Sequence, residues 1–362
     1  MRFASEAGVH DPCMPDAPVE ARSYLLACYA VSLAQGASIR GTHVKARTIR
    51  SYLRSAYDLF KPRQLAYQPL LSTNFVEVVM KALESYESVP DRRNMITDSM
   101  TRWLQRDAAT RRHDDLEAAI TDWVLLGRYV GFRRSEWCQT STTSFERITE
   151  WPSQPALAFI DDDWVFCDDA ERIVRLRSEK DVARIKYVRI RWRRQKNRQN
   201  GEIVPFARDD CRPLFCPVRA AVRIVLRARR LGTPTNVPLA VYSSGGGVKP
   251  QFITDSQVST HLRAAAVAAL GLPPSSSELA LWSTHSIRVT AANLLHRQRF
   301  TDSFIQIRLR WRSNSFRDYL RNTFYAADKH SALDVSASKL PPRRAREYRA
   351  LEAHETLAAD AA

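Results

Sequence analysis

Apolar residues in the first quarter of the chain recur every three or four positions, the spacing of one face of an α-helix. One stripe comprises Leu25, Leu26, Tyr29 and Leu33, and a second comprises Ile49, Tyr52, Leu53 and Tyr57. The pattern predicts a helical domain over residues 18–90. Prolines in residues 1–17 predict an unstructured leader before it, and the Pro-containing segment 88–91 is the best candidate for a linker after it.

Two stretches of the second half have patterns typical of strands. Residues 188–193 alternate apolar and basic side chains, which predicts a strand with one face on the core and arginines on the other. Asn200-Gly201 then predicts a tight reversal into a strand over residues 202–206. A further hairpin is predicted between residues 156–160 and 164–166.

Helical periodicity returns over residues 92–131, 217–231 and 255–270. Within 217–231, an inward face carries Ala and Val/Ile side chains, and Gly232 stops the helix. The predicted fold class is therefore mainly α with a small antiparallel β-sheet (α+β). We expect a larger second domain at residues 91–335 and a tail at 336–362.

The charge of the chain indicates an acidic partner. Its 362 residues contain 55 Lys+Arg against 39 Asp+Glu, which gives a formal net charge of +16. An excess of this size favours nucleic acid as the partner. Ribosomal and chromatin proteins have the same balance, so charge alone does not indicate an enzyme.

Metal and membrane sites are not expected from the sequence. The six cysteines include no CxxC pair, and the aspartates at 161–163, 168 and 169 are explained more simply by turns than by a metal. No apolar run is long enough to span a bilayer, and the N-terminus lacks a signal-peptide core. We expect a soluble, intracellular protein with no cofactor.

The groups needed to cleave a phosphodiester without a metal occur near the C-terminal end. His285-Ser286-Ile287-Arg288 places a proton-transfer group and a fixed cation three residues apart, on one face of a helix. Trp311 and Tyr319 follow within one short span. Upstream, Gly131-Phe132-Arg133-Arg134-Ser135-Glu136 closes an apolar helix, and Lys196 lies in a basic segment before Asn200.

This ordered set of Arg, Lys, His-x-x-Arg, Trp and Tyr resembles the catalytic domain of the tyrosine recombinases, the phage-integrase family. The form Arg310-Trp311-x-Ser313-x-x-Phe316-x-x-Tyr319-x-Arg321 is most similar to recombinases of DIRS-type and Crypton-type transposons. The resemblance covers roughly residues 20 to 330. It implies a helical core-binding domain, a catalytic domain, and a homo-oligomer, a tetramer, that acts on paired sites in double-stranded DNA. The protein would be DNA-associated, in the nucleus if the host is eukaryotic. The tail would dock on a neighbouring protomer or remain solvated.

Two arginines are the expected phosphate clamps. The planar guanidinium holds two phosphate oxygens and stays charged, which suits a transition state that concentrates negative charge on oxygen. Arg288 and Arg133 are the candidates. The family pattern Gly-x-Arg-x-Ser-Glu selects Arg133 over its neighbour Arg134.

The remaining catalytic roles follow from the resemblance. Lys196 matches the family's hairpin lysine, the acid that protonates the leaving 5′-oxygen, and Lys186 is the alternative. His285 shuttles the tyrosine proton or bonds the phosphate. Trp311 stands where many relatives carry a second histidine, and its indole N–H can only donate. Tyr319 is the expected nucleophile, with Tyr325 as its rival.

Two basic groups are candidate DNA contacts, and each has the simpler interpretation of a solvated basic surface. The first lies at the approach to the second predicted helix and the second on the predicted strand: Arg40, Lys45 and Arg47, then Arg189, Arg191 and Arg193.

Three further functions stay open beside a recombinase. A type IB topoisomerase shares the chemistry, a catalytically inactive derivative would only bind DNA, and a basic interaction protein would carry the motifs by accident. The last would show salt-sensitive binding without a covalent adduct.

Overall fold

The computed structural model describes residues 2–11, 14, 16–36, 43–58, 74–87, 92–140, 158–193, 195, 200–244, 249–311, 316–317 and 320. The chain divides into two compact units, residues 1–91 and 92–362. The division lies at Asp91, within the segment that the sequence favours as a linker. No helix within the described part is long and apolar enough to cross a membrane.

The first unit contains four helices among its described residues: α1 (Arg2–Glu6), α2 (Val19–Ala34), α3 (Ala46–Asp58) and α4 (Asn74–Tyr86). The last three enclose a small core, because their apolar stripes meet there. Its buried members include Leu26 and Leu33 from the first predicted stripe and Ile49 and Leu53 from the second. Tyr52, also assigned to a stripe, is 44% exposed.

The prediction that residues 1–17 are unstructured is wrong for part of that segment. Residues Arg2–Glu6 form a short helix, and the Phe3 ring lies 5.2 Å from the ring of Tyr29. Ala4 is buried. The apolar surface removed from water by these contacts offsets part of the conformational entropy that an unfolded segment would keep.

The second unit contains helices α5 (Asp98–Ala109), α6 (Leu116–Val130), α7 (Pro217–Arg230), α8 (Asp255–Leu270), α9 (Thr284–Arg297) and α10 (Asp302–Arg308). Helix α6 is central, since it packs against α5, α7 and α9. Most of its residues are buried, and its two buried charged side chains have partners, since Asp122 pairs with Arg227 and Arg128 with Asp98. Trp123 of α6 stacks on Trp137 with ring centroids 5.1 Å apart.

Among its described residues this unit also contains five short strands. An antiparallel sheet has the order β1 (Trp164–Cys167), β2 (Tyr187–Trp192), β3 (Glu202–Ala207), and a separate pair joins β4 (Val241–Tyr242) to β5 (Gln251–Phe252). The predicted fold class, mainly α with a small antiparallel sheet, is confirmed.

The predicted strand over residues 188–193 is confirmed as β2. Its apolar side chains Val188, Ile190 and Trp192 are buried, whereas Arg189 and Arg191 face outward. Just before β3, Gly201 donates its N–H to the carbonyl of Trp192 at 2.7 Å and adopts a φ of 83°. Glycine accommodates this left-handed conformation without a Cβ clash. The predicted tight reversal at Asn200-Gly201 is wrong, because Trp192 pairs with Glu202 and the nine residues 193–201 connect β2 to β3.

The hairpin predicted between residues 156–160 and 164–166 is wrong. Residues 156 and 157 lie outside the described part, and β1 pairs with β2 instead, with Trp164 opposite Ile190. The backbone of Phe159 is committed elsewhere, because its N–H bonds the Glu136 carbonyl at 2.9 Å and its carbonyl accepts from Leu239 N at 2.9 Å. These long-range bonds leave no ladder for a local hairpin.

Candidate active site

Arg133 is placed by the abrupt end of α6. Gly131 caps the helix in the left-handed region with φ 62°, and its N–H bonds the Gly127 carbonyl at 2.8 Å. The chain then turns so that Arg133 caps a 3₁₀ turn, Arg134–Glu136. The Arg133 side chain is 22% exposed.

Glu136 holds Arg133 from two directions. Its Oε1 accepts from Arg133 Nη1 and its Oε2 from the Arg133 backbone N–H, each at 2.9 Å. Arg133 Nη2 donates to the carbonyl of Arg310 at 3.1 Å. By contrast, Arg134 is 58% exposed and its Nη1 lies 3.3 Å from Asp255 Oδ2. Of the two adjacent arginines, Arg133 is therefore the one that contacts both Glu136 and the residue 310 carbonyl. These residues, together with Arg288, are called the cluster below.

Arg288 lies in the second turn of α9, which begins after the N-cap Ser283. Its side chain is buried between two chain segments. Nη1 donates to the carbonyl of Gly131 at 2.6 Å, and Nη2 donates to the carbonyl of Leu309 at 2.8 Å. Arg133 therefore donates to the carbonyl of residue 310 and Arg288 to the carbonyl of residue 309. Together these hydrogen bonds hold the segment that leads to Trp311.

Trp311 follows α10, and its ring packs against the guanidinium of Arg288. The guanidinium carbon of Arg288 lies 4.3 Å from the ring centroid of Trp311, a cation–π contact. The Trp311 backbone N–H bonds the Gln306 carbonyl at 2.8 Å, which ties the residue to the end of α10. The structure thus brings Arg133, Arg288 and Trp311 around one short segment.

Arg310 is the most deeply buried cation of this cluster, with a side chain that is 0% exposed. Its guanidinium carbon lies 3.8 Å from the ring centroid of Trp192, at the end of β2. Its Nη2 lies 3.3 Å from Glu136 Oε2. Burial lowers the pKa of Arg310 to about 10, against the opposing effect of Glu136.

Glu136 stays ionised in spite of its burial. Removal from water raises the pKa of this carboxyl group, but the charges of Arg310, Arg133 and Arg288 outweigh that effect and hold the pKa below its ordinary value. Among the described residues the cluster contains three guanidinium groups and one carboxylate. Its net charge is positive.

His285 is exposed in the first turn of α9, and its backbone N–H bonds the Ser283 hydroxyl at 3.3 Å. Arg288, three residues later, is buried. The two side chains thus occupy different environments, and the expectation that they meet one ligand stays a prediction.

Lys196 and Tyr319 lie outside the described residues. The alternative to Lys196, Lys186, precedes β2 at the strand end remote from Trp192, about 20 Å away at 3.3 Å per residue. Trp192, at the other end, contacts Arg310. The strand end that leads toward Lys196 therefore lies at the cluster.

The candidate DNA contacts differ in what the structure shows. Lys45 and Arg47 are exposed at the start of α3, and Arg40 lies outside the described residues.

On β2 the outward arginines have acidic partners. Arg189 pairs with Glu171, and Arg191 Nε lies 3.7 Å from Asp163 Oδ1. Arg193 is bound more firmly, since its Nε contacts both Asp163 oxygens at 2.7 and 2.8 Å and its Nη2 the Ala158 carbonyl at 2.8 Å. Its guanidinium is thus a structural tie, and a phosphate would have to displace Asp163.

The aspartates at 161–163 form a 3₁₀ turn. Asp161 binds Arg229 with both oxygens, at 2.7 and 2.8 Å, and Asp163 accepts the Ile160 N–H at 3.0 Å. Within the described residues no group of three or more His, Cys, Asp or Glu side chains could hold a metal ion. The turn interpretation of this acidic run agrees with these contacts.

Comparison with known proteins gives low-identity similarities. A family profile described as the membrane-bound lytic murein transglycosylase C N-terminal domain matches residues 245–336, less than half of the chain. This segment contains His285, Arg288, Trp311 and Tyr319 but not Arg133 or Lys196. No curated protein matches the sequence.

Among solved structures, a lambda integrase dimer bound to a COC′ core site is 15% identical, with a TM-score of 0.44 over 89% of this chain and 86% of that one. The Tn1549 transposon integrase in complex with circular intermediate DNA is 12% identical, with a TM-score of 0.44 over 87% and 86%. The same integrase with transposon right end DNA is 11% identical, with a TM-score of 0.43 over 88% and 87%.

Two residues of the cluster had no role assigned from the sequence. Glu136 belongs to the motif after α6, and its position three residues after Arg133 is that of a capping-box carboxylate, a signal that could have identified it. Arg310 appeared only as part of the Arg310-Trp311 motif, with no role of its own. Its contact with Trp192 joins residues far apart in the chain, and no local pattern predicts it.

Proposed function

We propose that this protein is a site-specific DNA recombinase or integrase that cleaves and rejoins DNA through a 3′-phosphotyrosyl intermediate. The observation that carries the proposal is the positive cluster in which Arg133 and Arg288 fix the segment before Trp311. Surplus positive charge in a partly buried site is costly unless an anion compensates it. A backbone phosphate is an anion of the right shape for a guanidinium fork.

The chemistry follows from these groups. Tyr319 attacks the phosphorus, so that the bond from its Oη to phosphorus forms as the bond to the 5′-oxygen breaks. Lys196 donates a proton to the departing 5′-oxygen, and His285 accepts the proton of the attacking tyrosine. Arg133 and Arg288 stabilise the charge of the pentavalent transition state, and Trp311 donates from its indole N–H.

The intermediate conserves the energy of the broken linkage, so rejoining needs neither ATP nor a metal. A 5′-hydroxyl from a second strand then reverses the step. We further propose a tetramer on paired sites, an origin in a mobile element, and a DNA-associated location, in the nucleus of a eukaryotic host. The net charge of +16 supports DNA as the substrate.

A nicked suicide substrate tests the nucleophile. Cleavage near the nick releases a short oligonucleotide, so the covalent intermediate accumulates on a denaturing gel. We expect the wild type and Tyr325→Phe to form the adduct and Tyr319→Phe to form none. An adduct with Tyr319→Phe would refute the nucleophile assignment. Screening DNA that flanks the coding sequence would supply the site.

The clamps are tested on the same substrate. Arg133→Ala should raise the barrier by about 2 to 4 kcal/mol, a slowing of about 30- to 1,000-fold, as for a lost oxyanion donor. Arg134→Ala is the matched control, because this neighbour points to Asp255 instead. Equal effects of the two substitutions would refute the role of Arg133.

Two other functions are outcomes of these assays. Relaxation of any supercoiled plasmid without a specific site would indicate a topoisomerase. DNA binding with a steep salt dependence and no adduct on any substrate would indicate a non-catalytic binding protein.

A further inference from the structure

Arg310 occupies a position that is costly for an arginine in two respects. Its backbone has φ 58°, in the left-handed region that residues with a Cβ rarely adopt. Its guanidinium is fully buried, a state tolerated only where partners compensate the charge. Conformations of this kind persist where the surroundings over-determine them, and they cluster at functional sites.

The surroundings of the Arg310 guanidinium are well defined. One face lies against the Trp192 ring at 3.8 Å, and its Nη2 reaches Glu136 Oε2 at 3.3 Å. Glu202 lies close enough to raise its pKa, and Arg133 and Arg308 lower it. Because the side chain is 0% exposed, Arg310 does not reach a DNA phosphate from this position.

Glu136 is shared between Arg310 and Arg133. Oε1 binds the Arg133 guanidinium at 2.9 Å, whereas Oε2 binds the Arg133 backbone N–H at 2.9 Å and faces Arg310. One buried carboxylate thus faces two guanidinium groups. If Arg133 were its sole cation, the carboxylate would neutralise the charge that a phosphate needs.

We propose that Arg310 is a positioning residue that neutralises Glu136, so that Arg133 stays oriented by this carboxylate yet keeps its positive charge for an anion. The Arg310 carbonyl takes part in the same arrangement, because it accepts from Arg133 Nη2 at 3.1 Å. Arg310 acts through Arg133 and touches no substrate. The inference rests on the proposed function, in which Arg133 is a phosphate clamp.

Binding of inorganic phosphate provides a test that does not need DNA cleavage. At constant ionic strength, Arg310→Met should weaken phosphate binding about fivefold or more, a coupling typical of charges in contact. In an Arg133→Ala background the same substitution should cause no further loss, because the effect passes through Arg133. An equal loss in both backgrounds would overturn the proposal.

Arg227→Met is the matched control for burial. Arg227 is also a buried arginine, paired with Asp122 at 2.5 Å, but belongs to α7 and to another ion pair. Its replacement should reduce thermal stability without changing phosphate affinity. If Arg227→Met weakens phosphate binding as much as Arg310→Met, loss of stability explains both, and the charge-sharing role is refuted.

Arg310→Lys adds a rescue and a pH profile. The lysine restores the charge near neutral pH, so phosphate affinity should recover relative to Arg310→Met. Burial lowers the pKa of a lysine, and Glu136 and Glu202 only partly oppose this, so the affinity should fall with rising pH earlier than in the wild type. No rescue at neutral pH, or pH profiles that coincide, would contradict a role for the charge.

Failure of this inference is distinguishable from failure of the proposed function. Phosphate data that follow the pattern above, in a protein that forms no DNA adduct, would preserve the role of Arg310 and refute the recombinase. An adduct formed by the wild type, together with unchanged phosphate binding in Arg310→Met, would preserve the recombinase and refute the role of Arg310.

Discussion

Replacing Gly131 by alanine would strain the junction between α6 and the candidate site. The residue has a φ of 62°, and an added Cβ would lie 2.9 Å from Leu309 Cδ2 and 3.2 Å from Ala291 Cβ. Both neighbours are fully buried, so neither can move into open space. The Gly131 carbonyl also binds Arg288, and the Leu309 carbonyl binds the same guanidinium.

The expected cost has two parts. A left-handed alanine costs about 1 to 2 kcal/mol relative to glycine, and forcing a methyl group into a packed core costs about 1 to 3 kcal/mol more. The total of about 2 to 5 kcal/mol should lower the melting temperature of the second unit by about 5 to 15 °C.

Gly271 provides the matched control. It caps α8 with φ 69°, and an added Cβ would meet nothing within 4 Å. Gly271→Ala therefore incurs only the backbone cost. Urea or thermal unfolding of both variants isolates the packing contribution by difference. If Gly131→Ala is no less stable than Gly271→Ala, an added Cβ at residue 131 does not clash with Leu309 and Ala291, and the reasoning is refuted.

Two further predictions concern buried titratable groups. Glu136→Gln should lower the free energy of unfolding by about 3 to 5 kcal/mol at pH 7, because it leaves buried guanidinium groups without their carboxylate. Since the folded-state pKa of Glu136 is lowered, this stabilisation is present above the unfolded pKa of about 4.3 and is lost as pH falls through the folded value, so urea titrations of variant and wild type should converge in acid. Burial lowers the pKa of His261 although the charge of Asp107 opposes this effect. As pH falls, the histidine is therefore protonated more readily in the unfolded chain than in the folded protein. The free energy of unfolding should decrease as pH drops below about 6.5. His261→Phe should flatten that dependence, and an unchanged slope would show that another group titrates.

Local patterns in the sequence determined much of the fold. The helical period located α2, α3, α7 and α8, and alternation located β2 with its buried and outward faces. These predictions depend on interactions between near neighbours, and each residue's contribution is visible within one turn or one pair of strands.

Pairings between distant segments were decided only by the tertiary structure. The sequence suggested a local hairpin before β1, but Phe159 hydrogen-bonds to Glu136 and Leu239 instead. The leader gained a helical turn because α2 offered an apolar surface. In both cases the contacting residues are far apart in the sequence, so no local pattern predicts the contact.

The candidate site divides in the same way. The sequence motifs selected Arg133, Arg288 and Trp311 as candidates, and the structure places all three around residues 309–311. The capture of Leu309 and Arg310 carbonyls by those two arginines was not evident, and neither was the stacking of Arg310 on Trp192. An arginine side chain is long and flexible, so its guanidinium can reach many hydrogen-bond partners. Packing and the exclusion of water determine which partners it binds, and both exist only once the chain has folded.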